Sequence, residues 1–412
     1  MRAETLTETL TLTDEEMPLP EGWRWVRVGE LCNLVNGDAY KPIDWSTSGV
    51  PIIRIQNLND ASKPFNYWSG SLHNKVTIKQ DDVLLAWSGT PGTSFGVHLW
   101  KGSDGVLNQH IFRVDFTSNK IVPEWFVYAA NQRLNILISQ AHGGVGLRHV
   151  NKREVEALKI PFPPTIKEQR RIASILDEQM KAVEEARRAA EEQLEAAKLL
   201  PNALSRLIFE SEEAQNWRNR KLGEVCRDIS DGTHFTPEYV SSGVPFLSVK
   251  DVKENGIFFD NCRYITQEQH EDLCRRCKPE RGDILYTKVG TTGIAKAIDI
   301  DKEFSIFVSV ALLKLRDDID PNYIEKTLNS PIGKEQAENL TQGMANRNLV
   351  IRDIKTIEIP IPSTIEEQRK IAERLNEQLQ AVETLKKSLT EKLEAIKKLP
   401  ASLLRKAFAG EI

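Results

Sequence analysis

The stretch IPFPPTIKEQRRIASILDEQMKAVE, residues 160–184, returns as IPIPSTIEEQRKIAERLNEQLQAVE, residues 359–383. The register of 199 residues holds without a gap to Leu200-Pro201 and Leu399-Pro400, and roughly half of the paired positions are identical. A repeat of this quality sets the architecture before any single motif is weighed. Within it the apolar residues Ile172, Leu176, Val183 and Leu194 match Ile371, Leu375, Val382 and Leu393. Gln378, Leu385, Leu389 and Ile396 complete the second stripe, and Gln179, Ala186, Ala190 and Ala197 fill the first. Steps of three and four between charged residues predict a coiled-coil-like helix in each copy. Thr165 with Glu168, and Thr364 with Glu367, form capping boxes behind a proline-rich entry. About 35 helical residues would span roughly 50 Å, and Pro201 and Pro400 are expected to kink or end the helices.

The duplication extends upstream into more diverged sequence. Trp23 and Trp217 each precede a Gly-Glu-apolar-Cys tetrad ending at Cys32 and Cys226; SGVPIIRIQNL (48–58) matches SGVPFLSVKDV (242–252), and DDVLLAWSGTPG (81–92) matches GDILYTKVGTTG (282–293). The expected organisation is an acidic tail (1–17), a first globular block (18–164), a first helical region (165–216), a second block (217–362) and a second helical region (363–412). Strands are predicted at 51–56, 82–87 and 111–114, then 245–249, 283–288 and 308–315. One helix per block opens at a proline, Pro123 to about Gln140 and Pro321 to about Leu340. The fold class is therefore α+β, a tandem mixed domain in which each copy is followed by a long helix.

With 412 residues, 40% of them hydrophobic, the chain can build several cores. No apolar run approaches the roughly 18–20 residues of a membrane span. The N-terminal residues lack an apolar core of signal-peptide length, and five cysteines fit a reducing compartment, so a cytoplasmic location is expected. The formal charge of −4 argues at first against a nucleic-acid partner. Nucleotide, hydrolase and zinc-protease motifs are missing, and Phe162-Pro163-Pro164 lacks the amide or acid of a base-methylating motif, so no catalytic residues are assigned. Cys262, His270, Cys274 and Cys277 have a zinc-knuckle element but no counterpart in the first block, so free thiols are the expected state. Cys32 and Cys226, at matched positions on an apolar helix face, are read as small core residues.

Two variable blocks on matched helices fit a reader of something bipartite, and duplex DNA offers such half-sites. Candidate reading residues follow predicted strand ends, where polar side chains can meet base edges. In the first block they are Arg54, Gln56 and Asn57; Trp87, Ser88 and Thr90; Asn108, Gln109 and His110; and Arg148, His149, Asn151 and Lys152. The second block offers Thr233, His234 and Thr236; Lys250; Thr287, Lys288, Thr291 and Thr292; and Arg347, Asn348 and Arg352.

Leu19-Pro20-Glu21-Gly22-Trp23, Asp231-Gly232-Thr233-His234-Phe235-Thr236-Pro237, Gly282-Asp283-Ile284-Leu285, the twice-used proline-flanked exit and the terminal Ala407-Phe408-Ala409-Gly410-Glu411-Ile412 together carry a likeness. Over nearly its whole length the chain resembles the specificity subunit of type I restriction–modification enzymes. That resemblance implies two target-recognition domains, each reading half of a split double-stranded DNA target, and two helices paired as an antiparallel coiled coil that sets the gap. It also implies docking of two modification subunits, which use S-adenosylmethionine to methylate adenine, and of motor-endonuclease restriction subunits using ATP and Mg. No cofactor is expected in this chain. Gly37-Asp38-Ala39-Tyr40-Lys41-Pro42 departs from the Asp-Gly-Thr-His-Phe-Thr-Pro of the second copy, as different targets would require. The competing readings are a coiled-coil adaptor that ignores DNA sequence and a zinc enzyme around Cys274.

Divided by region, the charge reads differently. The tail carries −4, residues 18–164 +3, residues 165–216 −3, residues 217–362 −2 and residues 363–412 +2. The tail alone accounts for the acidic balance, so net charge does not exclude DNA.

Overall fold

In a computed structural model the described residues are 18–60, 63–89, 95–140, 148–149, 151–343 and 347–412. They form two compact units: the described residues up to Ala189 together with Lys392–Ile412, and Ala190–Glu391.

The first unit begins with β1 (Arg24–Arg27), α1 (Val28–Leu31), β2 (Cys32–Asn36), β3 (Val50–Ile53), α2 (Ile55–Asn59), β4 (Asn66–Trp68) and β5 (Thr77–Ile78). It continues with β6 (Val83–Ala86), β7 (Ser88–Gly89), β8 (Gly96–Leu99), β9 (Gly105–Leu107), β10 (Ile111–Phe116) and α3 (Pro123–Gln140). After β11 (Arg148–His149), α4 (Lys152–Ala157) and β12 (Lys159–Phe162) comes the long helix α5 (Ile166–Phe209). Its antiparallel sheet has the order β2-β10-β6-β8, and a second sheet runs β4-β3-β9-β5 with β3 and β9 parallel. Strand β6 is buried on both faces, which explains its unbroken Val-Leu-Leu-Ala run. One of its faces lies in a core with Trp125, Phe126 and Ala129 of α3; the other packs with Ile53 and Leu107 of the second sheet.

The second unit repeats this plan. Its elements are α6 (Glu212–Gln215), β13 (Arg218–Lys221), α7 (Leu222–Val225), β14 (Cys226–Asp231), β15 (Val244–Leu247), β16 (Val252–Lys253), β17 (Gly256–Ile257), β18 (Arg263–Ile265) and α8 (Gln267–Cys274). Then follow β19 (Ile284–Thr287), β20 (Ala295–Ala297), β21 (Ser305–Ile306), β22 (Val310–Leu315), α9 (Pro321–Asn329), α10 (Pro331–Leu340), α11 (Ile351–Ile354), β23 (Glu358–Ile361) and α12 (Ile365–Phe408). The sheet β14-β22-β19-β20 matches β2-β10-β6-β8 strand for strand, β18-β15-β21 matches β4-β3-β9 with no strand among the described residues in the place of β5, and the closing pairs β1-β12 and β13-β23 correspond.

The long helices pair within each unit. In the first, Ile172, Ala173 and Leu176 of early α5 share a core with Leu404, Ala407 and Phe408 of late α12. In the second, Phe209 of late α5 shares one with Ala372 and Leu375 of early α12. Early residues of one helix meet late residues of the other, so the pairing is antiparallel. Most of the predicted stripe is covered: Ile172, Leu176, Ala190, Ala197, Leu375, Val382, Leu389, Leu393 and Ile396 are buried and Val183, Leu194 and Ile371 half-buried, whereas Ala186 and Leu385 are exposed.

Three local expectations are corrected. Each helix has 44 residues, about 66 Å at 1.5 Å per residue, and runs through Pro201 or Pro400 instead of ending there. Proline removes a single helical N–H bond, and the turns beyond it are held by burial of Phe209 and Phe408. The helix expected from Pro321 to Leu340 breaks at Ser330, because Pro331 disfavours helical backbone before it and starts α10. Cys32 and Cys226 open strands β2 and β14 instead of lying on a helix; both are buried, and burial pushes their thiols up to about 12.

Candidate DNA interface

Each block gathers its polar loops where the two sheets meet. In the first block, Ile53 and Leu107 are adjacent parallel partners, so the loops that follow them start side by side. Asn108 N–H donates to the Ile53 carbonyl at 3.0 Å, and Trp87 N–H to the His110 carbonyl at 3.3 Å. Strand β7 pairs with β11, setting Gly89 opposite Arg148 and Ser88 opposite His149. All four predicted loops therefore converge. The second block does the same with different residues: Leu247 pairs with Ile306, Lys288 N–H donates to the Ser309 carbonyl at 3.0 Å, and Leu349 N–H to the Lys288 carbonyl at 2.7 Å. Gly290 N–H bonds the Arg347 carbonyl at 2.9 Å.

Two glycines permit this convergence. A Cβ on Gly37 would lie 2.3 Å from the Asn108 carbonyl oxygen, and one on Gly232 would lie 2.0 Å from that of Ile306. The neighbouring residues Asp38 and Thr233 form parallel bridges to Asn108 and Phe307, so the chain crosses the same strand end in both copies.

The predicted residues divide by exposure. Gln56, Gln109, Asn151, Lys152, His234, Thr236, Lys250, Thr291 and Arg352 are exposed, while Arg54, Trp87, Asn108, His110, Thr292, Arg347 and Asn348 are half-buried. Asn57, Ser88, Thr233, Thr287 and Lys288 are buried and hold the loops that carry the others. The Asn57 side chain accepts from Arg54 N–H at 3.2 Å and donates to the Lys63 carbonyl. Thr287 accepts from Ile294 N–H at 2.9 Å. Lys288 Nζ lies 3.1 Å from Asp231 Oδ2, and Arg276 and His234 flank the same carboxylate at 2.7 and 3.2 Å. Thr90 and the side chains of Arg148 and His149 lie outside the described residues.

Several of these cations are already engaged. Arg347 forks onto Glu338, Arg352 Nε donates to Asp353 Oδ1 at 2.9 Å, and Lys152 Nζ bonds the Leu34 carbonyl at 2.8 Å. Asn151 caps α4 by accepting from Glu154 N–H at 3.0 Å. Sequence reasoning missed the aromatic residues beneath the cations. Arg54 sits over Trp45, Lys75 over Tyr40 and Trp68, Arg263 over Tyr239, and Lys253 over Phe258, each 4.5–5.1 Å from the ring centre. The only sequence signal was that Trp45 and Tyr239 occupy the same place relative to the Ser-Gly-Val-Pro anchors.

The cysteine cluster does not assemble. Cys274 Sγ is 3.5 Å from His270 Nε2, but Cys277 is buried and its Sγ lies 3.8 Å from Ser230 Oγ. Among the described residues no three His, Cys, Asp or Glu side chains are grouped to hold a metal ion. No helix among them is long and apolar enough to cross a membrane.

Duplicated mixed domains with converging polar loops, each followed by a long pairing helix, define a two-headed recognition protein. Residues 20–195 and 214–395 match the family of type I restriction modification DNA specificity domains, and the chain belongs to that family. It is a sequence-reading specificity subunit and not a catalytic one. It is 23% identical over 423 aligned positions to the EcoBI type I restriction enzyme specificity subunit of Escherichia coli, covering 96% of this chain and 87% of that one. The MjaVIII specificity subunit of Methanocaldococcus jannaschii is 25% identical over 380 positions, covering 87% and 86%. Among solved structures, a chain from a study of type I restriction–modification assembly and conformational transition superposes with a TM-score of 0.73 at 22% identity, covering 96% and 100%. The HsdS subunit from Thermoanaerobacter tengcongensis gives 0.67 at 23% identity, covering 97% and 100%. These structures share the fold.

Proposed function

We propose that residues 18–164 and 217–362 each read one half of a split sequence in duplex DNA. On this reading the helical regions 165–216 and 363–412 set the gap between the halves. The observation that carries it is the convergence of the loops after β3, β6, β9 and β11 in the first block, and of their counterparts in the second, onto one polar patch per block. Base edges are what distinguish sequences, and such loops bring hydrogen-bonding side chains to them.

The paired helices dock two modification subunits, and restriction subunits join through those. The long helices expose Leu199, Leu207 and Leu385, apolar side chains that such partners would cover. S-adenosylmethionine, ATP and Mg belong to those partners.

The test is genome-wide methylation mapping in cells carrying this chain with its modification subunits. A split motif of fixed spacing is expected, with one half changing when residues 18–160 are exchanged for those of another specificity subunit. A motif unchanged by the exchange would show that the assignment of reading to these blocks is wrong. Inserting a few residues between Gln179 and Leu194 should lengthen the gap and leave both half-sites intact.

A further inference from the structure

Trp45 and Tyr239 are equivalent in the repeat, each three residues before its Ser-Gly-Val-Pro anchor. Each ring carries a guanidinium. Arg54 Cζ is 4.9 Å from the Trp45 ring centre, and Arg263 Cζ is 4.5 Å from that of Tyr239. The two arginines are not equivalent. Arg54 follows β3, where the second block has Ser248. Arg263 lies on β18 opposite Phe246, where the first block has Asn66 opposite Ile52. An Arg/Asn pair in one copy is thus a Ser/Arg pair in the other, and the charge reaches the same ring from a neighbouring strand. Two independent routes to one geometry point to a use for the stacked guanidinium itself, beyond packing of either strand.

The surroundings leave that group available. Arg263 is exposed and makes no ion pair among the described residues. The nearby Asp251 carboxylate is occupied by Ser248, whose N–H and Oγ–H reach it at 2.8 and 2.9 Å. Arg54 gives one N–H to Asn66 Oδ1 at 3.0 Å, leaving the rest of the fork. In the second block the stack lines a cleft of about 690 Å³, with Phe246 and Phe307 among its aromatic lining and Lys250 and Lys253 among its basic residues. A guanidinium held over an aromatic face keeps its N–H edge for other partners and can meet two acceptors at once.

We propose that the guanidinium over Trp45 and the guanidinium over Tyr239 are sequence-determining groups, one per block, each taking the O6/N7 edge of a guanine in the major groove. This deepens the DNA-reading function above and rests on it. Tyr239 and Trp45 act as positioning residues that hold the fork.

The experiment is methylation mapping of cells carrying the modification subunits with wild-type chain, Arg263→Ala, Arg263→Lys or Arg54→Gln, alongside thermal unfolding of each purified chain. Arg263→Ala should relax one guanine position of the second half-site and leave the first unchanged. Methylation of the original site should fall about tenfold to a hundredfold, the range of one bidentate contact. Arg263→Lys keeps the charge but loses the fork, so it should relax the same position; Arg54→Gln should relax the other half. If Arg263→Ala unfolds, the Arg263→Lys and Arg54→Gln results decide. An unchanged motif in folded variants overturns the proposal. So does a uniform loss at all sites without relaxed sequence, which marks a phosphate contact. A wild-type chain that yields no split motif overturns the DNA-reading function and this proposal together, whereas a wild-type motif indifferent to both arginines overturns this proposal alone.

Discussion

The buried side chain of Gln169 accepts the Val122 N–H at 2.8 Å while donating to the Lys120 carbonyl at 3.2 Å. Its repeat partner Gln368 makes the same two bonds, to Asp320 N–H at 2.8 Å and to the Asp318 carbonyl at 3.2 Å. One amide thereby ties the first turn of each long helix to the loop entering α3 or α9. Removing it leaves the N–H of buried Val122 or Asp320 without a partner and releases the carbonyl of exposed Lys120 or Asp318. Gln169→Ala and Gln368→Ala should each cost about 1–3 kcal/mol, read from urea denaturation midpoints. Wild-type midpoints in both would show that these bonds do not join helix to block.

Gly232 and Gly37 sit where any side chain would collide with a strand-end carbonyl. Gly232→Ala should destabilise the second unit by about 1–3 kcal/mol, the usual cost of overpacking a close contact. Because Thr233 leads directly into the candidate interface, methylation at the second half-site should fall as well. Gly37→Ala is the matching test on the first half. A variant with wild-type stability and methylation would mean that the strand ends yield without cost.

Much of the architecture was legible because it was written twice. The ungapped register of 199 residues located both helices, and both threonines cap as the sequence implied, Thr165 and Thr364 accepting the N–H of Glu168 and Glu367 at 3.2 Å; Glu367 closes its box on Thr364 N–H at 3.3 Å, while the Glu168 carboxylate is held by Arg171. Strand order was not legible, since the parallel pairs β3-β9 and β15-β21 join residues about 55–60 positions apart with no local signal. Exposure was the harder quantity. Lys288 and Thr287 resemble their loop neighbours in type, yet Lys288 is drawn inward by Asp231, a partner 57 residues away. The Arg54 and Arg263 stacks were hidden for a related reason: they coincide in space but not in alignment.

The thiols offer a chemical check on burial. Cys32 and Cys226 are pushed up to about 12 and Cys277 to about 11, burial being the largest cause in each. At pH 8 the native chain should therefore be alkylated first at half-buried Cys262, with these three protected until denaturant is added. The sign for stability follows. A thiol whose folded value lies above its unfolded value of about 8.5 binds more protons in the folded state. Its contribution is full below that pH and is lost as pH rises towards 11–12. Peptide mass mapping after a short iodoacetamide pulse measures the protection, and early labelling of Cys32 or Cys226 would contradict the buried placement.

Charge and geometry together predict how the isolated chain meets DNA. Residues 18–164 carry +3 and residues 217–362 carry −2, while several cations near the loops are committed to Glu338, Asp353 and Asp231. Phosphate neutralisation supplies most sequence-independent affinity and falls steeply with salt. This chain therefore has little grip of its own, whatever its loops can read. Fluorescence anisotropy with a labelled duplex bearing the mapped target should show micromolar or weaker binding at physiological salt, with affinity rising as salt is lowered. Adding the modification subunits should bring the large gain in affinity and make it depend on target sequence. Nanomolar, sequence-specific binding by this chain alone at physiological salt would refute the division of labour, placing grip and reading in one polypeptide.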